Sequence, residues 1–343
     1  MVFEDLVKTP GEWLQARGPY SEIVLSSRVR LARNLSLFPF VKRAKISDLR
    51  EILGQMKEII DDTEPLKGGL FLELEELPPL EAQFLQERHL ISLEMARDST
   101  VGGVLIGKLE KFALMVNEED HLRLQAFASG LSLRSAYDVL DDLDNELETR
   151  FEYAFSEELG YLTACPTNTG TGMRASVLIH LPALVLTKEI EKVLRGVGQV
   201  GLAVRGLYGE GTEVKGNFFQ ISNQTTLGRS EEDILEALER VTKQVIEYEK
   251  HARETLVESA RPQIEDKILR ALGILQNARL LTSDEVLNLS SAVRLGIGMG
   301  MVKSVQLKTL NELLIFTRPA HLQRLFGTEM EPAVRDMRRA EYV

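Results

Sequence analysis

Five arginines, spread over four short motifs, set the strongest constraint on how this chain can fold. The motifs are SSRVR (26–30), NEEDHLR (117–123), CPTNTGTGMRAS (165–176) and RGLYGE (205–210), and the arginines are Arg28, Arg30, Arg123, Arg174 and Arg205. Like charges in one cleft repel, so a fold that gathers them needs a polyanion to neutralise them. A guanidinium is a planar fork of donors that matches phosphate oxygens two at a time, which makes a triphosphate a suitable anion. Most of these motifs follow or sit on strand-like segments: IVLSS (23–27), 104–106, 112–116, ASVLIHLPAL (175–184, ended by Pro182), 202–211 and FFQISNQ (218–224). On a strand Arg28 and Arg30, two apart, share a face. The pattern predicts one sheet whose face lines an anion site. Strands and helices lack a regular βαβ rhythm, so the expected class is α+β, a mostly antiparallel sheet flanked by helices.

Helical periodicity appears at 45–62, where Leu49, Ile52, Leu53, Met56, Ile59 and Ile60 recur on one face. Ser230 with Asp233 forms a capping box ahead of Ile234, Leu238, Val241 and Val245. From about 253 the reading is helical throughout: a helix near 264–276 after Pro262, one opened by the Thr282–Glu285 capping box and closed at GIGMG (296–300), an apolar face at 305–316, and a terminal helix at 331–340. We therefore expect a catalytic domain over 1–252 and an all-α C-terminal domain over 253–343.

The 343 residues are enough for two such units, and 44% hydrophobic with 27% charged residues is ordinary for a soluble globular protein. Apolar runs are too short to cross a bilayer, and the N-terminus lacks the basic-then-apolar layout of a signal peptide. The single cysteine, Cys165, excludes an intramolecular disulfide and fits a reducing, cytoplasmic setting. Net charge is −11. Such an acidic body disfavours nucleic acid; on charge alone the surplus acid reads first as a solubility device, with attraction of cationic partners as the alternative.

TNTGTGMR is not a P-loop, because no GK[ST] follows its glycines, yet its backbone N–H groups are available to an anion with Arg174 directly behind. Glu118, Glu119 and Asp120 stand side by side; alone, such a triplet is most often a solvated loop. Cys165 is either a small buried residue or, ahead of a Gly-rich loop and an arginine, a reactive thiol.

In this order, the four motifs resemble the catalytic domain of the phosphagen (guanidino) kinases, the ATP:guanido phosphotransferases, and more closely the bacterial protein-arginine kinases. The resemblance covers roughly 20–250, with CPTNTGTGMRAS its most specific part, and RDMRRA (335–340) extends it to the chain end. It implies ATP binding along Ser26, Ser27, Arg28, Val29 and Arg30, at His89 and Arg123, along Arg174, Ala175, Ser176, Val177 and Leu178, and along Arg205, Gly206, Leu207, Tyr208, Gly209 and Glu210. Many members carry His where this chain has Leu178, so apolar packing replaces ring stacking there. Arginine enters a site as a cation and is a poor nucleophile, so a carboxylate must hold it and accept its proton. By the resemblance these are Glu119 and Glu210, with Cys165 beside them and Glu118 holding Mg²⁺ through water.

The resemblance also implies phosphorylation of arginine side chains in other proteins, which marks them for Clp-type degradation in a stress response. SSRVR begins at residue 26, too early for the N-terminal domain that encloses small guanidino substrates. Arg335, Asp336, Arg339 and Ala340 would form an allosteric phosphoarginine pocket. Implied partners are proteins with exposed arginine, a stress-gene repressor among them, a zinc-finger activator protein, a Clp unfoldase–protease, and further copies in a homodimer or larger assembly. The alternatives are a kinase for free arginine and a non-catalytic phosphoarginine-binding adaptor.

Overall fold

Residues 2–98, 101–206 and 215–343 are described by the structure, a computed structural model. Their strands are β1 (Val24–Arg33), β2 (Leu70–Glu73), β3 (Gly103–Ile106), β4 (Phe112–Val116), β5 (Leu122–Ser129), β6 (Phe155–Ser156), β7 (Gly160–Tyr161), β8 (Met173–His180), β9 (Leu202–Gly206) and β10 (Phe218–Asn223). Eight form one antiparallel sheet in the order β2-β3-β4-β5-β1-β8-β10-β9, while β6 and β7 make a separate hairpin. This is the α+β sheet expected, with helices around it and a helical region after it. It has two strands the sequence reading missed: β2, and β5, which carries Arg123.

Side chains alternate along each strand, so one face of the sheet is apolar. Val29, Leu31, Leu124, Ala126, Ala175, Val177 and Ile221 are buried there, against Leu140, Leu143 and Leu147 of the helix Leu133–Glu148 and Ile234, Leu238 and Val245 of the helix Glu231–Asn277. Each fully buried side chain of this size contributes about 1.5–3 kcal/mol. This two-layer core leaves the other face of the central strands free for polar side chains.

Ser230 caps the long helix as its sequence predicts: Ser230 Oγ accepts from the Asp233 N–H at 3.1 Å, and Asp233 returns the contact. The helix then runs unbroken past 252/253, where the domain division was expected. Its backbone leaves helical geometry only at Ala260 (φ −146°, ψ 30°), two residues before Pro262. Proline lacks an N–H and crowds the preceding turn, so the helix bends rather than stops. The helices Ser283–Gly298, Leu307–Phe316, Pro319–Phe326 and Pro332–Tyr342 complete the C-terminal region.

Candidate active site

Strand register, more than sequence proximity, assembles the arginines. Arg30 on β1 lies opposite Arg174 on β8, and Ala32 lies opposite Arg123 on β5. Arg28 lies opposite Ser176, two residues from Leu178, which lies opposite Gln220 and through it Arg205 on β9. Directly opposed residues share a face. Arg28, Arg30, Arg123, Arg174 and Arg205 therefore all project from the face turned away from the main helical layer. Ser26, Ser176 and Leu178 share it. Ser27, Val29, Ala175 and Val177 point the other way: Ser27 Oγ donates to Gly130 O at 2.8 Å, and the remaining three are core.

The electrostatics of this face are those of a site that wants an anion. Burial, then Arg123 and Arg174, push the Arg28 guanidinium down to about 9. Burial, then Arg28, Arg123 and Arg174, push Arg30 well below its ordinary value. Arg174 Nη2 donates to Ser222 Oγ at 3.4 Å. Beyond Arg28 the face turns aromatic. The Arg28 guanidinium sits 5.9 Å from the centre of the Phe127 ring, Trp13 stacks on Phe127 at 5.7 Å, and His89 meets Trp13 edge-on. Leu178 packs into the same cluster. Burial first, with the nearby Arg28 and Arg318, holds His89 down to about 3, so its ring is neutral.

At the opposite end stands the acidic turn between β4 and β5. The Asn117 N–H donates to His121 O, the Glu118 N–H donates to Asp120 O, and Asn117 takes a left-handed conformation (φ 58°). Glu118 is held to Arg123 at 2.5 Å and accepts the Glu119 N–H at 2.8 Å. Although burial raises its pKa, Arg123 and that N–H hold Glu118 below the usual carboxylate range. Glu119 is half-buried and forms no ion pair among the described residues; burial, then Asp120 and Glu118, raise its pKa above the usual range. Among the described residues, no three His, Cys, Asp or Glu come together as a metal cluster.

Asp120 was not among the expected site residues, yet it ties the site together. Its Oδ1 accepts from Asn34 Nδ2 and from the Ala164 N–H, both at 2.6 Å, so one buried carboxylate joins the Glu119 turn, the end of β1 and the segment leading to Cys165. The acidic triplet was visible in the sequence, but nothing marked Asn34 or Ala164 as its partners. His121, given no role, is structural: its Nδ1 accepts the Leu35 N–H. Cys165 opens a short 3₁₀ turn (Pro166–Asn168), with its Sγ 3.0 Å from Thr167 Oγ1. In the Gly-rich loop the N–H groups of Asn168, Thr169 and Gly170 are already taken, donating within the loop and to Tyr161 O. Its glycines serve close approach. A Cβ on Gly172 (φ +66°) would sit 2.6 Å from Ala32 O. Leu207, Tyr208, Gly209 and Glu210 lie outside the described residues; Arg205 and Gly206 end β9.

Arg339 is buried in the terminal helix. It donates to Thr317 O, Leu281 O and Asp336 Oδ1, while Arg335 donates to Met330 O.

Convergent guanidinium groups, an apolar aromatic cluster at one end and, among the described residues, a carboxylate without an ion-pair partner at the other suit phosphoryl transfer from a nucleotide to a cationic acceptor. Comparison with known proteins agrees. Residues 51–252 match the family described as ATP:guanido phosphotransferase, C-terminal catalytic domain, and residues 261–343 match the Protein-arginine kinase McsB C-terminal domain. The protein-arginine kinase of Symbiobacterium thermophilum is 47% identical over 348 residues, spanning 100% of this chain and 98% of that protein. That of Geobacillus sp. (strain WCH70) is 46% identical, spanning 100% and 96%. Among solved structures, the duplicated taurocyamine kinase from Schistosoma mansoni with bound transition state analog components aligns with TM-score 0.62 and 28% identity, over 73% of this chain and 36% of that one. Lombricine kinase aligns with TM-score 0.58 and 25% identity, over 72% and 70%. Among the described residues no helix is long and apolar enough to cross a membrane.

Proposed function

The chain belongs to the ATP:guanido phosphotransferase family and, within it, to the protein-arginine kinases, and from that membership we propose that it transfers the γ-phosphoryl group of ATP to arginine side chains of other proteins. The observation that carries this reading is the single sheet face on which five arginines meet the Glu118–Asp120 turn. The adenine lies against Phe127, Trp13 and Leu178, and the phosphates run along Arg28, Arg30, Arg174, Arg205 and Arg123. These forks stabilise charge on the transferring group, so catalysis is mainly positioning and electrostatics.

The acceptor guanidinium sits at Glu119, with Glu210 as second carboxylate and Cys165 beside it. A P–N bond forms, the bond from the γ-phosphorus to the ADP oxygen breaks, and a guanidinium proton passes to a carboxylate. The raised pKa of Glu119 makes it a stronger base than an ordinary glutamate. Mg²⁺, when bound with the nucleotide, neutralises phosphate charge. Glu118, held below the usual carboxylate range by Arg123 and the Glu119 N–H, would hold that ion through water.

Further parts of the reading rest on the family alone: a cytoplasmic setting, phosphorylation that delivers proteins to a Clp unfoldase–protease under stress, a zinc-finger activator, self-assembly, and a phosphoarginine pocket at Arg335, Asp336, Arg339 and Ala340. Incubation with ATP and either a denatured basic protein or free arginine tests the core of it. Acid-labile phosphate on protein arginine is the expected product. Product on free arginine alone supports a small-molecule kinase, and no product with either acceptor supports a binding adaptor.

A further inference from the structure

Two of the groups at the aromatic end of the arginine face come from short segments outside the strands. Trp13 lies in the 3₁₀ turn Glu12–Leu14, and His89 follows the helix Pro79–Glu87 in a left-handed conformation (φ 62°). The sheet holds them from one side: Gln125 Nε2 donates to His89 O at 2.8 Å, and Phe127 stacks on Trp13. The C-terminal helices hold them from the other. Asn311, buried in the helix Leu307–Phe316, donates from Nδ2 to Leu14 O at 3.0 Å. Its Oδ1 accepts from Arg294 Nη1, and Arg294 Nη2 donates to Ser21 O, both at 2.5 Å. Arg294 is itself buried, in the helix Ser283–Gly298. One side-chain pair thus fixes both ends of the segment from Leu14 to Ser21.

The His89 segment is held in the reverse sense. Glu87 is buried, and its Oε2 accepts the Ala320 and His321 N–H groups, each at 3.0 Å, at the start of the helix Pro319–Phe326. His321 then stacks on Phe316 at 4.4 Å and on Phe84 at 4.9 Å. Trp13 and Phe127 share one buried cluster with Leu287, Ile315 and Phe316 of the C-terminal helices, and Leu178 packs against it. A buried amide or carboxylate costs free energy unless it is hydrogen-bonded. Asn311 and Glu87 both meet that need on backbone groups across the boundary between the sheet region and the C-terminal helices. They lock the two parts in one arrangement, at the two segments that carry Trp13 and His89.

We propose that the C-terminal helices set the base-binding wall of the nucleotide site: Asn311 with Arg294 positions the Trp13 turn, and Glu87 positions the His89 turn, against Phe127. The proposal rests on the reading that adenine lies at Phe127, Trp13 and Leu178. The five arginines stand on strands whose places are fixed by sheet register. The brace therefore acts on the base and leaves the phosphate grip alone.

The test uses the full chain and compares, by calorimetry with Mg²⁺ present, ATP with tripolyphosphate, which offers the phosphates without the base. Asn311→Ala and Glu87→Ala are each expected to weaken ATP about fivefold, the scale of one aromatic contact, with tripolyphosphate affinity unchanged. On a protein acceptor, KM for ATP should rise by the same factor with kcat nearly unchanged. Glu87→Gln keeps an oxygen that can take both N–H groups, as Glu87 Oε2 does, and is expected to retain ATP affinity. Trp13 is the one tryptophan of the chain, so emission reports its turn alone, and a shift to longer wavelength is expected in Asn311→Ala. Tripolyphosphate stoichiometry counts folded sites, so a partly unfolded variant still yields the ratio of affinities. If Asn311→Ala gives no folded protein, the Glu87 pair carries the test. Wild-type ATP affinity in both alanine variants overturns the proposal. So does an equal fold-loss for ATP and tripolyphosphate, which marks a merely structural role. Wild-type ATP affinity in Phe127→Leu places the base elsewhere and overturns that reading and the proposal with it, a result distinct from the other two.

Discussion

Replacing Arg28 with methionine should make the nucleotide-free protein more stable and leave it a poor binder of ATP. The Arg28 guanidinium is pushed down from the ordinary arginine range to about 9, through burial first and then Arg123 and Arg174. At ~1.4 kcal/mol for each tenfold, keeping it charged in the free protein costs about 5 kcal/mol. The folded state binds this proton more weakly than the unfolded chain. The cost is therefore present in full below about pH 9 and fades as pH rises from there toward the ordinary arginine value. Methionine removes the charge and keeps much of the stem's packing, but loses the contact with Phe127, so the net gain is expected to be about 1–2 kcal/mol. For a chain of this size that is roughly 2–3 °C in Tm. Saturating ATP raises the wild-type midpoint, by about 2.7 kcal/mol of stability at a hundredfold excess over Kd, and should barely move the variant's. Scanning calorimetry at neutral pH, with and without ATP, reads both effects. A variant less stable than wild type that keeps the full ATP response would refute the reasoning.

Asp120→Asn removes a negative neighbour from Glu119, whose pKa is raised by burial, then by Asp120 and Glu118, against the opposing pull of Arg123 and Lys42. The acid limb of the kcat/KM profile should move to lower pH; a limb that stays in place separates Glu119 from the titration. Asn34→Ala leaves the buried Asp120 carboxylate short of a donor, and denaturant titration should show a loss of about 1–3 kcal/mol. Cys165→Ser should keep the fold and lower transfer by roughly tenfold, the effect of losing ~1.4 kcal/mol of transition-state interaction; unchanged turnover removes Cys165 from the site. Arg335→Ala should lose phosphoarginine binding in calorimetry, and equal affinity would reject a pocket there.

Local patterns were legible in the sequence. Strand-like segments marked the start of β1 and the run of β8, and alternation in FFQISNQ marked β10. Ser230 with Asp233 and Thr282 with Glu285 marked two helix starts whose capping bonds are formed. β5 was missed although its pattern was there to read: Leu122, Leu124, Ala126 and Ala128 alternate with Arg123, Gln125, Phe127 and Ser129. Pro262 was read as a helix boundary, whereas packing on both sides of Ala260 holds one bent helix together. Arg28 and Arg30 share a face by spacing alone, but the alignment of Arg123, Arg174 and Arg205 with them depends on strand register, which no motif encodes. The Asp120 bridge spans 86 residues to Asn34 and 44 to Ala164. Such contacts are set by tertiary packing, so short-range pattern carries no trace of them.

The central claim is that five guanidinium groups on one sheet face grip one nucleotide. Calorimetric titration of ATP with Mg²⁺ into wild type and into Arg28→Gln, Arg30→Gln, Arg123→Gln, Arg174→Gln and Arg205→Gln addresses it directly. The expected result is one ATP per chain in wild type and an affinity at least about tenfold weaker in every variant, since a charged hydrogen bond contributes ~1.5–3 kcal/mol. Wild-type affinity in any of the five would place that arginine outside the grip and contradict the account.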